Sequence, residues 1–380
     1  MGKPLLSVVV PTKDRYKYLK YLIELVADFH SDEIELVIQD NSDNNTEFVE
    51  YLNDLHYDFI RYDHVAGQIP MSINSDKAIL NSTGEYVCFL GDDDGLTKYT
   101  IDCAKWMRKN DVEAVKSADI SYFWPDYSKN TLFKPSSAII YKSINECIKY
   151  LNPYKELLKV LKKGILDRGN MPLVYHSVVS RKALDRVFEK CGSYFPGNSP
   201  DISNAVALSL TIKKFALINL PLAFSGCSVF HSGGVYADGR KKEPAITEVP
   251  WFLPDPEKNW DSRVPKVASP ALIWVDSALS AIRRMGREDL YAAVDFKMIY
   301  SAFAVRNPEY RHLVTPFFSN KFICFFSYIK SFIYTRTIGV FRRLEIILGI
   351  TKISKNIKDI KQAAMVLEKM STNKTTVFNR

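Results

Sequence analysis

The first hundred residues alternate between short apolar segments and amphipathic ones, and this alternation limits the folds open to the chain. Apolar segments of four to seven residues, each followed by turn-forming residues, predict buried strands. Between them, apolar residues recur at helical spacing, as at Leu19, Leu22, Ile23 and Val26. Strands that alternate with helices predict a parallel, doubly wound sheet. The predicted strands are residues 5–10, 35–39, 58–62 and 85–91.

Polar residues stand at the ends of these predicted strands. Pro11 and Thr12 follow the first strand, Asp40 follows the second, and three aspartates at residues 92–94, the acidic triplet, follow the fourth. Ligands of open α/β sheets bind beyond these strand ends. Adjacent carboxylates stay ionised together only beside a cation or strong hydrogen-bond donors, and their oxygens suit Mg²⁺ or Mn²⁺. The triplet is therefore a candidate metal site, and the alternative is a solvated acidic turn.

The loop after the first strand excludes two common nucleotide-binding classes. Residues 11–15 contain no glycine. A dinucleotide-binding turn needs G-x-G-x-x-G at this place, and a P-loop needs glycines followed by lysine. NAD enzymes and P-loop NTPases are therefore not expected.

Composition predicts a globular protein. The chain has 380 residues, of which 47% are hydrophobic and 25% charged. No uncharged apolar stretch of about 18 residues occurs, so we expect no membrane-spanning helix. Pro11 ends the first apolar run too early for a signal peptide. The six cysteines are scattered without metal-ligand spacing, which predicts reduced thiols in a cytoplasmic protein.

The C-terminal segment is basic and aromatic. Residues 316–380 hold twelve basic and three acidic residues, a net charge of +9, whereas the whole chain carries +8. This asymmetry predicts a localised anionic partner rather than nucleic acid. Apolar residues with basic neighbours predict helices that lie on a membrane surface, and the alternative is packing on the protein or on a second subunit. These apolar residues are Phe322, Phe325, Phe326, Ile329, Phe332, Ile333, Phe341, Leu344, Ile347 and Leu348.

Taken together, the motifs at residues 7–12, 39–42, 81–86 and 91–94, with Asn74, resemble family 2 glycosyltransferases of the GT-A fold. The resemblance covers roughly residues 5–235. It implies a doubly wound mixed sheet flanked by helices, with a helical C-terminal extension. We expect a catalytic domain at residues 1–235, a helical extension at 236–315 and a basic amphipathic tail at 316–380.

The same resemblance implies roles for individual residues. Many relatives have an acidic residue where this chain has Gly91, so the register of the triplet allows more than one assignment. The cofactor implied is Mn²⁺ or Mg²⁺, a Lewis acid for the departing nucleoside diphosphate. The nucleotide-sugar would contact Pro11, Thr12, Asp14, Asp40 and Asp92, and the metal would bind Asp93, Asp94 and His231.

Asp201 is the candidate catalytic base. It precedes an apolar helix and resembles the acidic loop that supplies this base in the family; the alternative is a helix N-cap. His176 lies in an apolar strand-like stretch and is interpreted as a hydrogen-bonded core histidine. The basic run at residues 240–242 would grip the diphosphate, or is a solvated charge run.

The predicted function is a metal-dependent, inverting glycosyltransferase that transfers a hexosyl or N-acetylhexosaminyl group. The donor would be a nucleotide-diphosphate sugar and the acceptor a hydroxyl of a glycan or lipid-linked glycan, in surface polysaccharide synthesis. We expect a cytoplasmic protein at the inner face of the membrane, with self-association left open. The alternatives are a nucleotidyltransferase, which would need a glycine-rich basic loop after the first strand, and a catalytically silent membrane scaffold.

Overall fold

The computed structural model describes residues 3–128, 130–142, 144–145, 147–229, 243–318, 320–371 and 378. Their strands are β1 (Leu6–Thr12), β2 (Ile34–Asp40), β3 (Ile60–His64), β4 (Tyr86–Phe89), β5 (Gly95–Leu96), β6 (Ala114–Lys116), β7 (Ser121–Phe123), β8 (Ala138–Lys142), β9 (Ile148–Leu151), β10 (Ser177–Ser180), β11 (Phe215–Ile218), β12 (Ala223–Cys227) and β13 (Thr351–Lys355).

The helices occupy both faces of the strands and most of the C-terminal part. They are α1 (Tyr16–Ala27), α2 (Thr46–Leu55), α3 (Met71–Leu80), α4 (Tyr99–Asn110), α5 (Pro153–Leu161), α6 (Arg181–Cys191), α7 (Pro200–Ser209), α8 (Pro256–Asn259), α9 (Pro270–Arg284), α10 (Phe296–Arg306), α11 (Arg311–Val314), α12 (Lys321–Ile347) and α13 (Ile360–Ser371). Short 3₁₀ turns connect several of them.

The larger sheet is mixed, in the order β3-β2-β1-β4-β10-β6-β11-β9. The strands β1 to β4 pair in parallel, as the sequence predicts. In contrast, β10 runs antiparallel to both β4 and β6. An antiparallel strand begins where its neighbour ends, so the residues before β10 lie beside the end of β4. The pairs Val179–Val87 and Ser180–Tyr86 set this register, and a separate parallel bridge places Tyr175 beside Phe89.

A second sheet, in the order β13-β8-β7-β12-β5, passes close to the end of β4. Its strand β12 lies directly against the acidic triplet, where a Cβ atom on Gly226 would stand 1.7 Å from the carbonyl oxygen of Asp93. Only glycine fits there. From β7, the Trp124 Nε1 donates to the same carbonyl oxygen at 2.9 Å. The second sheet therefore fixes the backbone of the triplet.

Apolar side chains form one core around the parallel strands and another among the helices of the second half. Val8 and Val10 of β1 are fully buried beside Leu19 and Leu22 of α1. The second core brings together α5, α7, α9 and α10. Complete burial of each such side chain stabilises the fold by about 1.5–3 kcal/mol before entropy is counted. The mixed α/β architecture and the helical C-terminal part are confirmed.

The segment after residue 316 divides into an exposed helix and a packed end. Large apolar side chains of α12 face outward, with Phe322 77% and Phe326 64% exposed. Gly349, at φ +69°, follows α12, and β13 then pairs with β8. Beyond it, α13 buries Ile360 and Leu367 in the first core. Among the described residues no helix is long and apolar enough to span a membrane. The predicted division at residues 235 and 315 stays a prediction.

Candidate active site

The acidic triplet is buried at the end of β4, between the two sheets. Asp92, Asp93 and Asp94 are each 3% exposed or less. Thr12, at the end of β1, donates from Oγ1 to Asp92 Oδ2 at 2.7 Å. The alternative of a solvated acidic turn is therefore wrong, because the three carboxylates point into the protein.

A single arginine pairs with two of these carboxylates. Arg15 Nη2 lies 2.8 Å from Asp92 Oδ1 and 2.7 Å from Asp93 Oδ1. Burial disfavours the charged guanidinium, but Asp92 and Asp93 outweigh it and raise the pKa of Arg15. Burial in turn raises the pKa of Asp92 to about 7, against the opposing effect of Arg15. The guanidinium is the positive charge that makes the burial of this pair tolerable.

Asp94 has a different set of partners. Its Oδ2 lies 2.7 Å from His176 Nε2 and accepts from the backbone N–H of Gly91, while its Oδ1 accepts from the N–H of Gly226 at 2.7 Å. Although burial opposes its charge, His176 and these donors lower the pKa of Asp94 to about 2. His176 is hydrogen-bonded and largely buried, as interpreted from the sequence, but its partner is the acidic triplet, which the sequence did not indicate. A Cβ atom on Gly91 would meet the Tyr175 hydroxyl at 2.9 Å, which explains glycine at this place.

The residues at the end of β4 offer two oxygens that suit a divalent cation. Asp92 Oδ1 is buried and forms no hydrogen bond; its contact with Arg15 Nη2 is ionic without hydrogen-bond alignment. Asp93 Oδ1 meets the same guanidinium nitrogen, and Ser228 Oγ donates to Asp93 Oδ2 at 2.6 Å. Mg²⁺ and Mn²⁺ bind proteins through one or two carboxylates plus substrate phosphates. The Oδ1 atoms of Asp92 and Asp93 therefore fit such an ion once Arg15 moves aside.

The other predicted metal ligands are Asp94 and His231. The oxygens of Asp94 already have three partners within the protein, so its metal role stays a prediction. His231, like the basic residues 240–242, lies outside the described residues. Within the described part of the chain, no group of three or more His, Cys, Asp or Glu side chains is arranged around a metal position.

The predicted nucleotide-binding residues share the rim of the parallel strands. Asp40 is fully buried; its Oδ1 accepts from the N–H and hydroxyl of Ser42, and its Oδ2 accepts from the hydroxyls of Tyr16 and Tyr62 at 2.6 and 2.7 Å. Burial and these hydrogen bonds raise the pKa of both tyrosines. Its carboxylate thus organises the rim, and its contact with a base stays a prediction.

Other rim residues are more accessible. Asp14 is exposed, with φ +56°, and its N–H donates to Ser42 Oγ at 2.7 Å. Pro11 is half-buried at the end of β1. These positions leave Pro11 and Asp14 at the mouth of the rim, and their contact with a nucleotide stays a prediction.

Asp201 begins α7 in a loop held from several sides. Its Oδ1 accepts from Ser199 Oγ at 2.6 Å and from the N–H of Ile202 at 2.8 Å, so it satisfies one N–H of the first helical turn; the N-cap position itself is Ser199. One turn later, Asn204 Oδ1 accepts from the N–H of Val174, next to Tyr175. A helical turn rises 5.4 Å. Asp201 therefore lies about one helical turn from the residue of α7 that contacts Val174.

The Asp201 loop is supported by helix α9. Ser277 Oγ accepts from the N–H of Ser199 at 2.9 Å, and Gly197 packs against the backbone of Ser277. Asn198 Oδ1 accepts from the N–H of Leu253, and its Nδ2 approaches Asp276 at 3.5 Å. Burial raises the pKa of Asp276 to about 7. These supports come from residues far away in the sequence, which sequence reasoning does not identify.

A cavity of about 750 Å³ opens beside the triplet. Tyr175 and His176 form one part of its wall, and Ser225 of β12 forms another. The remaining lining comes from the ends of β6 and β7, from residues 163–170 and from two helices of the second half. No sequence pattern indicates this cavity, because its lining comes from segments distant in sequence. The charge partner of the triplet did leave a signal, since Arg15 lies in the loop that follows the first strand.

Comparison with known proteins gives a family-model match over the N-terminal part of the chain. Residues 7–170 match the family model described as glycosyl transferase family 2. The resemblance expected from the sequence motifs is confirmed over this region, and the structure has the expected mixed sheet flanked by helices. A search of curated proteins gave no significant match.

Solved structures with similar folds differ strongly in sequence. S. aureus TarS residues 1–349 in complex with UDP-GlcNAc is 13% identical, with a TM-score of 0.45, over 87% of this chain and 92% of that one. The mannosyltransferase PcManGT from Pyrobaculum calidifontis, in complex with GDP-Man and Mn²⁺, is 14% identical with a TM-score of 0.37, over 87% and 88%. Against a longer TarS chain, at 16% identity and a TM-score of 0.43, the alignment spans 58% of this chain and 36% of that one.

Proposed function

We propose that this chain, whose residues 7–170 match glycosyl transferase family 2, transfers a sugar from a nucleotide-diphosphate sugar to an acceptor hydroxyl with inversion. The observation that carries the proposal is the buried acidic triplet at the rim of the parallel strands. Arg15 pairs with two of its carboxylates and His176 with the third, and the triplet opens onto a cavity large enough for sugar residues. The transferred group would be a hexosyl or an N-acetylhexosaminyl group.

In this mechanism the rim binds the donor and Arg15 moves between partners. Thr12 and Arg15 hold Asp92 in place before any ligand arrives. When bound, a divalent cation at Asp92 and Asp93 supplies charge stabilisation for the leaving diphosphate. Arg15, released from the carboxylates, can pair with a phosphate oxygen, since guanidinium groups bind phosphate in two-point geometry.

Asp201 is proposed to accept the proton of the acceptor hydroxyl. A general base must lie within hydrogen-bond reach of that proton, or one water away. Asp201 stands in the first turn of α7, one turn before Asn204, which accepts from the N–H of Val174 next to Tyr175. The proton moves to a carboxylate oxygen of Asp201 as the hydroxyl oxygen attacks the anomeric carbon and the nucleoside diphosphate departs.

The experiment that tests this function combines donor binding with transfer. Nucleotide-diphosphate sugars are screened by thermal shift with and without Mn²⁺, because a ligand of the native state raises the melting temperature. We expect one donor to stabilise the chain in the presence of Mn²⁺ and to release its nucleoside diphosphate slowly. Asp93→Ala should abolish both effects, whereas Asp43→Asn, an exposed acid on the same rim, should keep them. No stabilising donor, or full activity of Asp93→Ala, would contradict the proposal.

Helix α12 is proposed to rest on an anionic membrane surface at the cytoplasmic face. Support comes from outward-facing apolar side chains, including Phe322, Phe326 and Ile333, on a helix that also carries Lys330 and Arg336. An interfacial enzyme could reach a lipid-linked glycan. The alternative occupant of this face is a second copy of the chain.

Vesicle co-sedimentation separates these two occupants. We expect binding to vesicles that contain phosphatidylglycerol and much weaker binding to pure phosphatidylcholine. Phe322→Ser with Phe326→Ser should reduce binding, whereas Leu132→Ser, which removes an exposed apolar residue elsewhere, should not. If the double variant instead converts a dimer to a monomer in light scattering, with vesicle binding unchanged, the face is a subunit interface.

A further inference from the structure

The cavity beside the acidic triplet is lined by more basic than acidic side chains. Four basic side chains, from Lys116, Lys163, Arg168 and Arg342, line it, against two acidic ones. They come from four separate segments: the end of β6, the turn after α5, the following loop and helix α12. A cavity with excess positive charge raises the local concentration of anions.

Two of the basic side chains are engaged in building the cavity. Lys116 is 4% exposed, and its Nζ donates to the carbonyl oxygen of Gly169 at 2.6 Å. This contact ties the end of β6 to the loop that closes one side. Arg168 lies 3.6 Å from Asp119, whose own side chain is 74% exposed. The other acid, Asp167, accepts from the N–H of Gly169 within the same loop.

The other two basic side chains keep their charge available. Among the described residues, no carboxylate lies within ion-pair distance of Lys163 or Arg342. Both side chains are exposed, and both line the cavity. Trp274 adds an aromatic face to the lining, of the kind that packs against the apolar face of a sugar. The combination suits a ligand that carries both a sugar or polyol and an anionic group.

The wall formed by Tyr175 and His176 connects this cavity to the acidic triplet. His176 Nε2 lies 2.7 Å from Asp94 Oδ2, so the cavity begins where the triplet ends. Thr12, Asp14 and Asp40 lie on the other side of the triplet, at the rim of β1 and β2. A donor bound along that rim would place its sugar toward the cavity and leave the basic lining for another molecule.

We propose that this cavity is the acceptor subsite and that the acceptor carries a phosphate group close to the hydroxyl that receives the sugar. This rests on the proposed function, since it names the acceptor class of that site. Lys163 and Arg342 contact the phosphate, while Lys116 positions the loop at residues 163–170. Helix α12 thereby contributes a residue to substrate recognition.

The test uses the full chain saturated with the nucleoside diphosphate that most raises its melting temperature, so that the donor site is filled. Glycerol 3-phosphate is then titrated by calorimetry, with glycerol as the uncharged control. We expect saturable binding of glycerol 3-phosphate alone. Lys163→Gln with Arg342→Gln should weaken it about tenfold or more, the loss expected for two charge-assisted contacts. Arg343→Gln is the matched control, because its guanidinium lies over Phe133 outside the cavity lining.

Several outcomes would overturn the proposal. They are absence of saturable binding, equal weakening by Arg343→Gln, or displacement of glycerol 3-phosphate by the nucleoside diphosphate, which would assign the basic groups to the donor. Loss of phosphatidylglycerol vesicle binding in Arg342→Gln, with glycerol 3-phosphate binding intact, would assign Arg342 to a lipid headgroup. If no nucleoside diphosphate binds at all, the proposed function fails, and titration of the free chain still decides whether the cavity takes a phosphate.

Discussion

The acidic triplet and the Asp201 loop are held in place by different means. The triplet is fixed by electrostatics: Arg15, His176 and backbone donors meet its carboxylates at hydrogen-bond distance. The Asp201 loop is fixed by packing and by neutral hydrogen bonds from the second core, through Ser277 and Asn198. The first arrangement is sensitive to charge, and the second is sensitive to shape. Substitutions should therefore affect them in distinguishable ways.

The largest effect is expected from Asp201→Asn, which keeps an oxygen acceptor in the first turn of α7 but removes the basic carboxylate. We expect transfer to fall by about 10²–10⁴-fold, the usual contribution of a general base, while donor binding and the melting temperature stay unchanged. Single-turnover transfer and thermal shift measure the two properties. Asp32→Asn, an exposed acid at the opposite edge of the sheet, is the control. Full transfer by Asp201→Asn would leave Asp201 as a helix cap alone.

The second largest effect is expected from Arg15→Gln, which removes the cation that pairs with Asp92 and Asp93. Removing the guanidinium leaves two buried carboxylates without their cation, so we expect the free energy of unfolding to fall by about 2–3 kcal/mol. Added Mn²⁺ should restore more stability to this variant than to the wild type, because an ion can take the place of the guanidinium. Denaturant unfolding with and without Mn²⁺ measures both.

The control for Arg15→Gln is Lys13→Gln, in the same loop. Lys13 pairs at 3.5 Å with Asp43, which is largely exposed, so its loss should cost about 0.5 kcal/mol or less. Equal stability of the two variants would show that the triplet does not depend on Arg15.

The Asp276→Asn variant tests how the support of the Asp201 loop depends on pH. The pKa of Asp276 is about 7, above the ordinary value of about 3.9 for Asp, so the folded state favours its neutral form. Its contribution to stability is fully present below about pH 4 and is lost as the pH rises through about 7. We expect Asp276→Asn to gain about 1–2 kcal/mol relative to wild type between pH 5 and pH 8. Unfolding at several pH values measures this, and Asp255→Asn, an exposed acid, should give a flat difference.

The smallest effect is expected from Ser277→Ala. The N–H of Ser199 would lose its acceptor, which costs about 1 kcal/mol of unfolding free energy. Because the same loop carries Asp201, transfer should fall several-fold without a change in donor binding. Ser280→Ala, on the same helix, is the control. If donor binding falls instead of transfer, the Asp201 loop contributes to the donor site and not to the reaction of the acceptor.

Much of the rim could be predicted because its residues are continuous with strands. The helix expected near residues 72–80 is α3 (Met71–Leu80), and the strand expected at 58–62 is β3 (Ile60–His64). Hydrophobic periodicity reports local structure, and parallel strands bring their ends together without further information. For the same reason Thr12 and the triplet could be placed together before any coordinates.

The amino-acid sequence by itself determined the parallel strands, the carboxylates at their ends and the exposed aromatic helix, because each is a pattern within a short segment. Only the tertiary structure decided that Arg15 bridges two of those carboxylates, that His176 reaches the third, and that Arg342 joins the same cavity as Lys163. The His176 contact depends on the antiparallel course of β10, and the position of Arg342 depends on the path of the chain after residue 316. Neither leaves a periodic signal, since both arise from packing between segments distant in sequence.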